Sequence, residues 1–297
     1  MVRNFFKRAL AAAGLAIAAL APQPAVAEAA KPALWQVSDP DTKIYLFGTI
    51  HLLPKGYEWK TRTLDRAIAS ADTLVIETII DARNPQALAA ELIRLGYSPG
   101  LPPLASRIHP LKRPQLQAAI ARSGIPPKVF DQMETWAAAF TLLGVQFREV
   151  GLQGEDGVEQ TLKAAFASAG KPVGQLETNS EQLGFFDTLP QDAQRALLEG
   201  AIEDPKSIGG DFAGMLQSWA NGDVEAIGQS FNRGLAASPA LREALIRRRN
   251  ANWSNWIARR LAAPGTILIA VGAGHLAGPD SVQEMLERSG YRVRRVQ

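Results

Sequence analysis

Ile44-Tyr45-Leu46-Phe47-Gly48-Thr49-Ile50-His51 near the start of the chain, and Ile267-Leu268-Ile269-Ala270-Val271-Gly272-Ala273-Gly274-His275 near its end, decide the fold. Each begins as an apolar run of strand length and closes with glycine, two residues and histidine. Glycine at that point lets the backbone turn sharply as it leaves the strand. The 297-residue chain has three histidines, so two of them share one local design. The duplication predicts pseudo-symmetric strand-Gly-x-x-His units and a common task for His51 and His275.

Between these units, apolar runs of four to six residues alternate with longer amphipathic stretches, the pattern of an α/β fold. Strands are expected at Lys43 to Phe47, Thr73 to Ile76, Pro172 to Leu176, Thr266 to Val271 and Tyr291 to Val296. Helices are expected at Gln86 to Leu95, Pro114 to Ser123, Val129 to Leu143, Val158 to Ala169, Gln191 to Glu203, Asp211 to Ala220, Ser238 to Leu261 and Ser281 to Ser289. The proline-rich segment Gly96 to Pro114 reads as an irregular excursion or flexible rim. The expected architecture is a mixed β-sheet core flanked by helices, with a large helical insertion between its two ends.

Residues 1–27 have the layout of a secretory signal peptide: Arg3, Lys7 and Arg8, an apolar stretch from Ala9 to Ala21, and the small-x-small site Ala25-Val26-Ala27. Cleavage is expected after Ala27, leaving a single domain over 28–297 that is periplasmic or secreted. Removing three of the 32 basic residues leaves 29, equal to the 29 acidic ones. A balanced charge gives no reason to expect a nucleic-acid partner. No later run reaches membrane-spanning length, so no integral membrane segment is expected after cleavage. The absence of cysteine excludes disulfides, thiolate metal sites and cysteine nucleophiles.

Glu77 ends the run Thr73-Leu74-Val75-Ile76, and Glu177 ends Pro172-Val173-Gly174-Gln175-Leu176. Both acids therefore occupy the same kind of position as the histidines, beyond strand ends where α/β sheets collect ligands. A carboxylate at the end of a buried strand needs a cation, a donor or a metal. Two neutral imidazoles and one carboxylate can hold a divalent ion with a position open for water, and a second carboxylate can accept a proton. Against this, no HExxH string places two ligands on one helix.

In the helix from Ser238 to Leu261, Leu245, Arg249, Trp253 and Ile257 recur every four residues, which turns Arg249 inward. Asn250 shares much of that face. An inward arginine pairs with a carboxylate, here Glu77 or Glu177, or reaches the same pocket with Asn250 to stabilise a developing oxyanion. Arg247 and Arg248 point to solvent. Asp156-Gly157-Val158-Glu159 reads as a capping box before it reads as a site. His109 belongs at the surface, and Asn252-Trp253-Ser254 matches a glycosylation sequon within a helix. No Gly-x-Ser-x-Gly elbow, GxGxxG string or Walker A motif occurs.

Leu46-Phe47-Gly48-Thr49-Ile50-His51, Val75-Ile76-Glu77, Gly170-Lys171-Pro172-Val173 with Leu176-Glu177-Thr178, Arg249-Asn250 and Val271-Gly272-Ala273-Gly274-His275-Leu276 together resemble the successive blocks of the TraB/PrgY/GumN family. The resemblance runs from about Leu34 to the C-terminus. It implies kinship with the Tiki metalloproteases and, more distantly, with an erythromycin esterase or ChaN-like fold. It carries His51 and His275 over as motif histidines and Glu77 as the acid after the second strand. Glu177, Arg249 and Asn250 match further blocks. Members such as TraB and PrgY limit peptide pheromone activity at membranes, whereas the GumN branch takes its name from a polysaccharide gene cluster. An exported chain without a further membrane segment is closer to the GumN branch.

The resulting expectation is a periplasmic hydrolase that uses manganese, cobalt or zinc to cleave a peptide, or a small amide or ester substrate. His51, His275 and Glu77 would hold the ion, with Glu77, Glu177, Arg249 and Asn250 in catalytic roles. A non-catalytic protein binding a metal complex or haem in the same pocket, and an accessory factor of envelope polysaccharide assembly, are the alternatives.

Overall fold

The two longest runs are apolar at successive positions, and because successive side chains point to opposite sides of a strand, both faces of the sheet must be covered. In the computed structural model, which describes residues 30–80, 84–149, 151–152, 157–235 and 238–297, β2 (Thr42–Thr49) and β5 (Gly265–Gly272) pair in parallel along their whole length. Thr49 lies opposite Gly272, so the two Gly-x-x-His units are offset by one residue. β3 (Thr73–Ile76) flanks β5 on its other side, and β4 (Val173–Gln175) lies outside β3, both parallel. β1 (Leu34–Ser38) runs antiparallel to β2, and β6 (Val293–Arg295) antiparallel to β1. The order β4-β3-β5-β2-β1-β6 makes this an α/β protein with a mixed six-stranded sheet.

One face carries Phe47, Leu74, Ile76, Leu268 and Ala270. α1 (Arg62–Ser70), α6 (Val158–Ser168) and α9 (Pro205–Ala220) cover it. Phe47 stacks on Trp59 at 5.8 Å and meets Trp219 of α9 at 6.4 Å, and the Trp219 indole donates to the Gly48 carbonyl at 2.7 Å. Each fully buried side chain of this size stabilises the fold by about 1.5–3 kcal/mol. The other face carries Ile44, Leu46, Val75, Ile267 and Ile269 beneath α12 (Arg248–Arg260) and α13 (Val282–Arg288).

The helical material around β4 includes α2 (Pro85–Gly96), α3 (Arg113–Ser123), α4 (Pro127–Asp131), α5 (Thr135–Glu149), α7 (Asn179–Asp187) and α8 (Gln191–Ala201). Leu116, Phe130, Leu142 and Leu198 form an apolar cluster of its own within it. α10 (Val224–Leu235) and α11 (Pro239–Arg242) then lead to the last helices.

Several expectations change. The helix expected over Val129 to Leu143 is two helices, because Met133 bridges to Tyr97 and the Glu134 N–H donates to the Gly96 carbonyl. Gly96 to Pro114 is anchored by buried Leu104 and Ile108, with the Arg107 guanidinium on the Met133 and Asp131 carbonyls. The helix expected over Ser238 to Leu261 is α11, a π-helical turn at Glu243–Arg247, and α12. Among the described residues no helix is long and apolar enough to cross a membrane. The expected signal peptide and Asp156 lie outside the described residues.

Candidate functional site

Four parallel strands deliver their carboxyl ends to one edge of the sheet, and His51, Glu77, Glu177 and His275 all follow those ends. β3 stops at Ile76, so Glu77 leaves the sheet beside Gly272 of the neighbouring strand. The Gly272 N–H donates to Glu77 Oε1 at 2.7 Å. A 3₁₀ turn, Ala273–Leu276, then swings His275 inward.

Gly272 is the floor of the cluster. A Cβ there would stand 3.2 Å from Glu77 Oε1, 3.5 Å from His51 Nε2 and 3.7 Å from His275 Cδ2. Both imidazoles and the carboxylate thus border one point that only the missing side chain leaves open. His275 Nε2 lies 3.8 Å from Glu77 Oε1.

Each histidine is fixed from behind. His275 Nδ1 meets Asn250 Oδ1 at 2.6 Å, and the Asn250 amide donates to the His275 and Asp280 carbonyls. Arg249 Nη1 donates to His275 Nε2 at 3.1 Å. A guanidinium only donates, so Nε2 is the acceptor and Nδ1 carries the proton. His51 Nδ1 meets Glu159 Oε1 at 2.7 Å, and the Thr49 hydroxyl donates to the same oxygen. Both rings therefore commit Nδ1 to an outer partner, the arrangement that orients metal-ligating histidines.

Arg249 pairs with both carboxylates that the sequence offered as alternatives. Its Nη2 donates to Glu77 Oε2 at 2.6 Å and to Glu177 Oε1, and its Nε donates to Glu177 Oε2 at 3.2 Å. Nη1 takes His275 and, at 3.5 Å, the Leu245 carbonyl. The guanidinium packs over the Trp253 ring at 4.7 Å. All five N–H donors of the guanidinium thus have acceptors. Gln182 bridges Glu77 and Glu177, at 3.2 Å from each. Arg247 pairs with Glu243 and Asp280, and Arg248 lies over Phe185, so neither is merely solvated.

Burial works against the charge on Glu77, but the facing histidines, Arg249 and the Gly272 N–H outweigh it and lower its pKa to about 2. Burial and the neighbouring Glu77 carboxylate raise Glu177 despite Arg249. Burial, with Arg249 alongside, pushes His275 down to about 3 and keeps it neutral. For His51 burial acts the same way, but the Glu159 carboxylate overcomes it and raises the pKa to about 9. The outer part of this ring stays open, with 64% of the side chain exposed.

In protein freed of metal, imidazole nitrogen NMR is therefore expected to show His51 titrating near 9 and His275 neutral throughout pH 5–9. The folded pKa of His51 stands above the unfolded 6.5. Its pair with Glu159 thus stabilises the fold fully below that value and ceases to do so as pH rises through 9. A His51 midpoint near 6.5 would contradict this.

His51, Glu77, Glu159, Lys163 and Gln182 line a cavity of about 280 Å³. Glu177 faces a different cavity, beside Trp253 and Trp256 on the far side of Arg249. His109 is exposed, and its Nδ1 accepts from the Leu111 N–H. Among the described residues no group of three or more His, Asp or Glu side chains is drawn together as a ready metal cluster.

Glu159, read from the sequence as part of a capping box first and a site second, is the residue that holds His51. Its side chain serves His51 and Thr49, and the N-cap of α6 is Gly157. The true capping box is Thr178 with Glu181, at the start of the unforeseen α7. The Thr-x-x-Glu spacing was the signal for it.

The model of the TraB/PrgY/gumN family matches residues 33–295. The chain is 27% identical over 242 residues to "Uncharacterized protein YbaP" of Escherichia coli (strain K12), covering 82% of this chain and 87% of that protein. It matches the protein of the same name from Shigella flexneri to the same extent. No solved structure matches the chain significantly. With nearly all of its described length matched and the strand-end residues His51, Glu77 and His275 of its blocks gathered around Gly272, this chain belongs to the TraB/PrgY/gumN family.

Proposed function

We propose that the cluster around Gly272 binds a divalent metal ion and that the protein is an exported metal-dependent hydrolase of peptide or related amide bonds. The observation that carries this reading is the orientation of the two imidazoles. Each gives Nδ1 to an outer acceptor, Glu159 or Asn250, and borders the gap that Gly272 leaves beside Glu77 Oε1. The donor set fits such an ion: His51 Nε2, His275 Nε2 and Glu77 Oε1 would hold it, with room on the open side of His51.

Charge supports the same reading. Glu77, Glu177 and Glu159 outnumber Arg249 and Lys163 by one negative charge when both histidines are neutral, which favours a bound cation. A divalent ion held there supplies Lewis-acid activation of water and of a scissile carbonyl.

The chain's own residues have separable tasks. Asn250 fixes the tautomer of His275, and Arg249 holds Glu77 ionised and aligns both Glu77 and Glu177. With four of its five donors held by Glu77, Glu177 and the Leu245 carbonyl, Arg249 is a positioning residue whose fifth donor leaves His275 Nε2 when that nitrogen binds the ion, and Asn250 has no free donor for a substrate oxyanion. Lys163, lining the cavity with Glu77 and His51, is the cation available to a substrate carbonyl.

The test is metal analysis of purified protein supplied with manganese, cobalt and zinc. The wild type is expected to retain close to one ion per chain, and His51→Ala and His275→Ala far less. Equal and negligible metal in all three overturns the reading. One observation favours a second reading, a non-catalytic binding site: Arg249, Glu77, Glu177 and His275 satisfy one another without a guest. That reading predicts ligand-induced thermal stabilisation without turnover.

A further inference from the structure

His51 is a partition between two cavities that differ in charge. On one side lies a cavity that holds Glu77, Glu159 and Lys163 among apolar Leu52, Ile76 and Ile80. On the other, Phe147 of α5, Phe212 and Met215 of α9, and Phe231 of α10 line a half-open apolar cavity of about 180 Å³ that also borders Gly272 and Ala273. The two cavities share His51 and Leu52, so a ligand spanning them crosses His51.

The apolar cavity is built onto the site. Gly274, inside the second Gly-x-x-His unit, has no side chain, and a Cβ there would lie 2.6 Å from the Phe231 ring. Phe231 therefore rests on the same turn that carries His275. Phe147 and Phe212 meet edge to face with centroids 6.5 Å apart, which holds the wall from two different helices. Phe212, Met215 and Phe231 pack against the sheet core yet remain partly exposed toward the cavity.

We infer that this cavity is a specificity subsite that takes one bulky apolar side chain, aromatic or branched aliphatic, next to the bond cleaved. The inference deepens the hydrolase reading and rests on it for the word "cleaved". The volume suits a single ring, since apolar cavities of about 150 Å³ bind benzene. An apolar wall offers nothing to a charged side chain, whose desolvation it would leave uncompensated. The substrate class is thus a peptide whose apolar residue enters beside His51 while its backbone faces Glu77 and Lys163.

Methionine methyl NMR tests the subsite without turnover. The chain has four methionines, and Met133 and Met285 lie away from the cavity as internal references. The full protein, labelled at methionine methyls, is titrated with N-acetyl-phenylalanine amide, N-acetyl-leucine amide, N-acetyl-alanine amide and N-acetyl-aspartate amide. The Met215 resonance is expected to move with the first two and to stay with the last two, while Met133 and Met285 stay throughout. In Phe212→Trp, which fills the cavity from its wall, the Met215 response is expected to disappear with the circular dichroism spectrum unchanged. If Phe212→Trp does not fold, Phe231→Leu, which shortens the opposite wall, is expected to weaken the phenylalanine response selectively.

With metal supplied, peptides bearing phenylalanine or leucine beside the scissile bond are expected to exceed the alanine peptide at least about 10-fold in kcat/KM. A Met215 signal indifferent to all four amides overturns the subsite, even where metal binding and hydrolysis are intact. A Met215 response without hydrolysis of any peptide upholds the apolar site and overturns the hydrolase reading alone.

Discussion

Arg249→Met is expected to destabilise the protein by about 3–5 kcal/mol, because it leaves two buried carboxylates without their shared cation. Arg249, Glu77 and Glu177 are all buried, and Gln182 alone cannot neutralise the pair it bridges. Methionine keeps much of the side-chain volume, so the loss is one of charge and hydrogen bonds rather than packing. Thermal melts of the variant should fall by on the order of 10 °C. Adding Glu177→Gln removes one of the two stranded charges and is expected to recover part of that loss. A melt within 2 °C of the wild type, at about pH 7, would show that the ion pairs do not hold the strand ends together.

Gly272→Ala is expected to have the opposite profile, with little effect on stability and a large one on the site. Gly272 has φ −50° and ψ 135°, a conformation that any residue adopts. Alanine also lowers the entropy of the unfolded chain, so the fold should stay within about 1 kcal/mol of the wild type. Its methyl, however, would occupy the point bordered by Glu77 Oε1, His51 Nε2 and His275. Metal affinity measured by calorimetry is expected to fall at least about 10–100-fold, the range seen when the surroundings of metal ligands are altered. Unchanged affinity would move the ion away from Gly272.

The contrast between these two substitutions separates the scaffold of the site from its working face. Arg249 lies behind Glu77 and Glu177 and sets their charge. Gly272 lies in front and sets the open space. His51 belongs to that front as well, held by Glu159 and exposed to both cavities.

Local pattern carried much of this arrangement into the sequence. The strands ending at Phe47, Ile76 and Val271 were legible because each is a short apolar run, and the one ending at Leu176 because it lies between a helix and Glu177; parallel pairing follows from the helices between them. The inward face of Arg249 was legible from its spacing with Trp253 and Ile257. β1 was missed because Leu34–Ser38 is short and mixes Gln36 and Ser38 into an antiparallel position near the sheet edge.

The partners of the site were harder to read because they depend on packing between distant segments. Glu159 lies 108 positions from His51 in a stretch that satisfies a local capping rule, and only the docking of α6 against β3 brings it near. The apolar cavity draws on α5, α9 and α10, of which α5 is distant in sequence from the other two, and α10 was missed although Val224, Ile227 and Phe231 recur at helical spacing among its polar residues and its two glycines, Gly228 and Gly234. The π turn at Glu243–Arg247 lies just before Arg249 and widens the helix there, a change of local pitch that side-chain periodicity does not report.

Anomalous diffraction from crystals grown with manganese or zinc would locate the divalent ion proposed at Gly272. A single strong peak is expected at bonding distance, about 2.0–2.2 Å, from His51 Nε2, His275 Nε2 and Glu77 Oε1, with Arg249 Nη1 withdrawn from His275. Crystals that hold the metal only at surface sites, with Arg249 still on His275 Nε2, would contradict it.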